Sequence, residues 1–148
     1  MLSNLKIENV AVIEKAEIDF DNGLNIMTGE TGAGKSIVID AINAVLGERT
    51  SKNIVRPGTA LAKVSAYFEN ISDAAVSALT EIEVESEPDR SLLISRTLTA
   101  DGRSTCRING QTVTVSMLKK EMDAAQKSIE ENRTKRNELR QHLVELQE

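Results

Sequence analysis

One run of eight residues, Gly29-Glu30-Thr31-Gly32-Ala33-Gly34-Lys35-Ser36, constrains what this chain can fold into more than any other. It matches the pattern G-x-x-x-x-G-K-[ST] of a phosphate-binding loop. Such a loop joins an apolar strand to a helix N-terminus. Gly29, Gly32 and Gly34 free the backbone to point successive N–H groups inward. These donors, with Glu30, Thr31 and Ala33 between them, and the positive end of the helix would cradle phosphates. Lys35 is expected to reach the β- and γ-phosphates, and Ser36 to hold Mg²⁺ through its hydroxyl. A chance match arises about 4 times in 100,000 starting positions at average composition. The flanks also comply. Leu24 and Ile26 form a short apolar strand ending at Thr28, and Ile37 to Leu46 predicts a helix stopped by Gly47. That helix is apolar on most faces, which predicts burial all round.

The 148 residues amount to one domain, or one domain with an appendage. A formal net charge of -5 argues against coating nucleic acid by bulk charge. With Phe20, Tyr67 and Phe68 as the aromatics, a base-stacking platform is unsupported and the core must be aliphatic. A lone Cys106 and a lone His142 exclude an intramolecular disulfide and any cysteine- or histidine-paired metal site. Met1-Leu2-Ser3-Asn4 does not read as a secretory leader, and no apolar run reaches the roughly 18 residues of a membrane span. A soluble, cytoplasmic protein is expected.

Period-two alternation marks strands at Leu5 and Ile7, at Ala16, Ile18 and Phe20, and at Val64, Ala66 and Phe68. Ala74 to Leu79 reads as a short helix. Ile82 and Val84 alternate with glutamates in a strand-like pattern before a turn at Pro88-Asp89. Leu92 and Ile94 begin a further strand. Asp101-Gly102 and Asn109-Gly110 are hairpin signals around a strand from Arg103 to Ile108. An antiparallel meander follows. From Met117 onward Leu118, Met122, Ala125, Ile129, Asn132, Arg136, Leu139, Leu143 and Leu146 recur every four and three residues. This is a heptad seam with two polar interruptions. It predicts a projecting helix of about 48 Å that needs a partner, against the plainer alternative of a helix folded back on the domain.

Hydrolysis needs an acidic residue ending a second apolar strand. The sole near match, Ile37-Val38-Ile39-Asp40, lies within the helix opened by the loop, and no Leu-Ser-Gly-Gly signature occurs.

Leu5 to Val10, Gly23 to Ser36, Leu46-Gly47-Glu48-Arg49, Val55-Arg56-Pro57-Gly58 and Arg103 to Gly110 together resemble the N-terminal part of the RecN family of SMC-type ATPases. The resemblance runs from Met1 to about Leu118. It implies an α/β fold: a P-loop, ABC-type half-head with an antiparallel strand meander, residues 1–116, plus a C-terminal coiled-coil arm, residues 117–148. It implies a truncated ATP- and Mg²⁺-binding lobe acting in DNA double-strand break repair and recombination. The partners implied are the missing C-terminal head lobe or a second head, a coiled-coil helix, and DNA through the assembled, nucleoid-associated protein. Alone, the chain is not expected to hydrolyse ATP. Met117-Leu118 passes directly into heptads where the family has a Gly-Gln-His-type stretch, so Gln111 is not given that glutamine's role.

Two rival readings remain: a self-contained small NTPase, and a coiled-coil interaction module or inactive fragment with a relic phosphate loop. Arg49 and Arg56 are expected either near nucleotide or partner head, as the resemblance implies, or in surface and structural roles. Lys52, Lys63, Arg90, Arg96, Arg103 and Arg107 either form a DNA-facing patch or are separately solvated. Cys106 is expected to be buried and His142 to lie on a helix surface.

Overall fold

The computed structural model describes residues 1–21 and 33–145. The expected strand from Leu24 to Thr28 and the loop residues Gly29 to Gly32 lie outside them. Among the described residues six strands form one antiparallel sheet in the order β2-β1-β3-β4-β5-β6. They are β1 (Leu2–Val10), β2 (Ile13–Asp19), β3 (Leu61–Phe68), β4 (Leu92–Thr99), β5 (Ser104–Ile108) and β6 (Gln111–Val113). The helices are α1 (Ala33–Val45), α2 (Asp73–Glu81) and α3 (Val115–Glu145), with a 3-10 turn at Lys52–Ile54.

Alternation along each strand sets one apolar face and one polar face. Ile7, Val64, Arg96, Cys106 and Val113 share one cross-strand row on the inner face; Leu5, Ala66, Ile94 and Ile108 share the next. The outer face carries Lys6, Glu8, Glu17, Lys63, Ser65, Thr97 and Arg107. Both hairpin signals act as expected. Asn109 (φ 49) and Gly110 (φ 83) form a two-residue turn of left-handed residues, and Gly102 (φ 92) closes the β4–β5 turn.

α1 covers the inner face over β1, β3 and β4. Its buried residues, Ile37, Val38, Ala41, Ala44 and Val45, lie on one stripe. Ser36, Asp40 and Asn43 are exposed, and Ile39 is 46% exposed. The expectation of burial all round is thus corrected: one wall of α1 packs on the sheet and the other is open. The strand-like pattern at Ile82 and Val84 is also not a strand. α2 ends there, Glu83 takes a left-handed φ of 58, and Val84 N–H bonds back to Leu79 O at 2.9 Å, burying Val84 as a helix-end plug. Side chains from the β5–β6 turn hold this segment: Asn109 donates to Glu85 O at 3.2 Å and Gln111 to Glu83 O at 3.1 Å.

α3 starts two residues before the expected arm, with Thr114 Oγ1 accepting Met117 N–H at 3.1 Å as its N-cap. At its base Leu118 is fully buried and Met122 packs beside it. Leu139 is 66% exposed. No helix among the described residues is long and apolar enough to cross a membrane.

Candidate nucleotide site

α1 begins at Ala33, inside the glycine-rich run, as a phosphate loop requires. Ala33, Gly34 and Lys35 form its first turn, and Ser36 follows with its side chain exposed. No acidic residue lies in that turn. The positive end of α1 is therefore not countered by a side chain of its own, as an anion site needs. The loop residues Gly29, Glu30, Thr31 and Gly32 fall outside the described residues.

A cleft of about 610 Å³ runs along the open wall of α1, starting at Ile37 beside Ser36 and continuing past Asp40 and Asn43. Its far wall is the β1–β2 turn, Val10 and Ala11, and the segment from Glu48 to Ile54. That turn is held rather than loose. Ala11 takes a left-handed φ of 50. Its N–H donates to Ile54 O at 2.8 Å, while Arg56 N–H donates to Asn9 O at 2.8 Å. The Arg56 guanidinium donates to Val12 O at 2.8 Å. Arg56 thus has a structural role, fastening the tip of the hairpin. Arg49 is exposed and lines the cleft. The cleft has the size of a small-molecule site and mixes apolar Val10, Ala11 and Ile37 with polar Asn43, Thr50 and Ser51.

The five basic residues with described side chains among those considered for a DNA-facing patch do not converge on one surface. Arg96 is only 4% exposed and points into the core. Its Nη1 donates to Ala44 O at 2.8 Å and Glu48 O at 2.6 Å, and its Nε donates to Ser104 Oγ at 2.9 Å. Burial pushes its pKa down, with the neighbouring Cys106 acting weakly in the opposite sense. Burial raises the Cys106 thiol, and Arg96 opposes that. Cys106 is a buried core residue as expected. Arg90 is paired with Asp73 and donates to Ile71 O at 3.2 Å, fastening the start of α2. Arg103 pairs with Asp101 at the β4–β5 turn. Lys63 and Arg107 are exposed in different rows of the outer face, and the Lys52 side chain lies outside the description. His142 is exposed on α3.

Sequence reasoning overlooked Val10, Ala11, Asp40 and Asn43 as cleft residues, and the core role of Arg96. The last had a readable signal: Arg96 falls in register with Leu92, Ile94 and Leu98 on the inward face of β4.

A helix that opens out of a glycine-rich loop, packs one wall on an antiparallel sheet and leaves a cleft along the other defines the N-terminal part of a P-loop ATPase head. The chain belongs to the AAA domain family, whose model matches residues 4–148. Membership implies a nucleotide bound with a divalent metal. The chain is 40% identical over 119 residues to the DNA repair protein RecN of Bacillus subtilis, which covers 80% of this chain and 21% of that protein. It is 39% identical over 122 residues to RecN of Haemophilus influenzae, covering 80% and 22%. The chain therefore spans about a fifth of the length of the curated relatives it matches. Among solved structures it is similar to the Smc head domain of Pyrococcus furiosus, with an extended coiled coil, bound to the C-terminal domain of ScpA. That match has a TM-score of 0.68 and 25% identity, covering 84% of this chain and 33% of that one. The recombination mediator RecF bound to ATP matches with a TM-score of 0.61 and 17% identity, over 80% and 30% of the two chains, and shows the fold alone.

Proposed function

We propose that this chain is the ATP-binding N-terminal lobe of a RecN-like ATPase of DNA double-strand break repair and recombination. The carrying observation is the acid-free first turn of α1, on a helix that from Ile37 onward lines a cleft of about 610 Å³. In this reading the backbone of Gly29 to Gly34 and Lys35 hold the triphosphate, and Ser36 contributes a hydroxyl to Mg²⁺. Ala11, Ile37 and Asn43 border the space for the nucleoside. The metal supplies charge neutralisation at the phosphates; the chain's own part is to bind and orient. Among the described residues no group of three or more His, Cys, Asp or Glu is placed to hold a metal. A metal here would be shared with the phosphates, as Mg²⁺ commonly is.

Residues 1–116 form the lobe and 117–148 the arm. The exposed Leu139, so far from the buried Leu118, supports an arm whose seam awaits another helix. A C-terminal head lobe or second head would complete the machinery for hydrolysis, and DNA would be engaged by the assembled, cytoplasmic and nucleoid-associated protein. The test is titration of the purified chain with labelled ATP and Mg²⁺. Saturable binding is expected, weakened at least about ten-fold in Lys35→Ala by loss of a charge-assisted phosphate contact, with no turnover by the chain alone. Binding equal in the variant and the unaltered chain would refute the site.

A further inference from the structure

Arg96 poses a physical question that the site as described does not answer. It is a guanidinium in the middle of the inner face, between Val64 and Cys106 in its row, and 4% exposed. Among the described residues no carboxylate forms an ion pair with it. Burying a charge without a counter-charge is costly, and a well-packed apolar side chain serves stability as well or better. What the guanidinium does meet is the C-terminus of α1. That end is already closed by a Schellman arrangement: Glu48 N–H bonds Asn43 O at 3.0 Å and Gly47 N–H bonds Ala44 O at 3.1 Å. Arg96 adds donors to Ala44 O and Glu48 O from the other side, and Ser104 Oγ steadies its Nε. The counter-charge of Arg96 is thus the negative end of the α1 dipole.

α1 is a rigid rod of 13 residues, about 20 Å long, and its other end is the first turn of the phosphate loop. A rod gripped at one end has its axial position and rotation set at both. The packing stripe of Ile37, Val38, Ala41, Ala44 and Val45 fixes which wall faces the sheet, but aliphatic contacts are non-directional and resist sliding weakly. The forked contacts are directional.

We infer that Arg96 is a positioning residue of the nucleotide site: it registers α1 against β4 and β5, so that the first-turn N–H groups, Lys35 and Ser36 meet the phosphates in place. The inference rests on the phosphate-site reading above. It concerns affinity, where a purely structural role would concern stability.

The experiment compares MgATP affinity and urea unfolding for the 148-residue chain and four variants. Arg96→Met keeps length and apolar packing without donors. Arg96→Lys keeps the charge without the fork. Ser104→Ala leaves the α1 contacts but removes the brace. Leu92→Val lies on the same strand and inner face, two inward positions from Arg96. Arg96→Met is expected to weaken binding about ten-fold or more, since a displacement of about 1 Å at a reacting site can cost far more than contact counting suggests. Arg96→Lys should recover part of that loss, and Ser104→Ala should show a loss of a few-fold. Leu92→Val should bind normally whatever its stability. Should Arg96→Met fail to fold, Arg96→Lys and Ser104→Ala carry the same comparison. Affinity within about two-fold of the unaltered chain in the folded Arg96 variants would overturn the inference while leaving the nucleotide site standing. A loss of affinity that merely follows stability across all the variants, Leu92→Val included, would overturn it too. No binding by the unaltered chain would instead overturn the phosphate-site reading, and this inference with it.

Discussion

Gly47 joins the nucleotide-site helix to the base of α3, and replacing it with alanine measures that junction. Gly47 has a φ of +94, where an L side chain is strained. A Cβ placed on it would meet the backbone N of Lys119 at 3.1 Å, and its Cα and Cβ at 3.2 Å. Two of these atoms are backbone in the first turns of a capped helix, so they cannot swing aside. The conformational part costs about 1–2 kcal/mol. Restricting the unfolded chain returns about 0.4–1 kcal/mol. Forcing a methyl into a packed contact adds about 1–3 kcal/mol. Gly47→Ala should therefore destabilise by about 2–4 kcal/mol. Gly58 supplies the control: its φ is +83, and nothing lies within 4 Å of its would-be Cβ. Gly58→Ala carries the conformational part alone, about 1 kcal/mol net. The assay is equilibrium urea unfolding of the unaltered chain and both variants, with equal slopes as the condition for comparison. A difference below about 0.5 kcal/mol between the two alanine variants would refute the close approach of α1's end to α3.

Leu118→Ala should cost about 2–5 kcal/mol, because that side chain is fully buried, while Leu139→Ala, 66% exposed, should stay within about 0.5 kcal/mol in dilute solution; equal losses in urea unfolding would mean that α3 packs along its whole length. Asn109→Ala should cost about 2 kcal/mol, since it forfeits the left-handed φ of 49 and the bond that Asn109 Oδ1 accepts from Leu93 N–H at 3.0 Å; Asn109→Gly should restore part of that loss, and recovery of none would assign the effect to the side-chain bonds alone. The Asp101 carboxyl is held down to about 2, first by the Thr99 hydroxyl and then by Arg103. Its folded value lies below the unfolded one, so its contribution is complete above about pH 4 and is lost as pH falls toward 2. An NMR titration should find its midpoint near 2, and Asp101→Asn should flatten acid sensitivity in that window; a midpoint near 4 would refute the turn geometry.

Local chemistry was the legible part of this chain. The helix after the glycine-rich run, the inward set of β3, the two hairpin turns and the burial of Cys106 follow from rules that act over a few residues: capping, period-two alternation and the left-handed preference of Asn and Gly. The existence of α2 was legible too, but the expected Ala74 to Leu79 falls short of the observed Asp73–Glu81, whose N-cap is Ser72, accepting Ala75 N–H at 3.2 Å.

What failed to show was anything settled by a distant neighbour. Ile82 and Val84 alternate as a strand would, yet Val84 N–H bonds back to Leu79 O and Asn109 and Gln111 hold that segment as a loop end. α1 reads as apolar on most faces, yet the sheet offers only one face, so Ile39 and Asp40 remain exposed. Arg96 counts as one more surface cation until β4 is seen to turn it toward α1.

The sequence by itself determined the existence of the helices and of both hairpin turns, the inward apolar sets of β1, β3 and β5, and that a glycine-rich run of phosphate-loop pattern leads into α1. Tertiary structure alone decided that β1 lies between β2 and β3, that the β1–β2 turn walls a cleft along α1, and that a buried guanidinium grips the far end of that helix. Periodicity specifies a face but not what covers it, because burial is non-directional, and the partner is selected only when segments some 50 residues apart compete for the same surface.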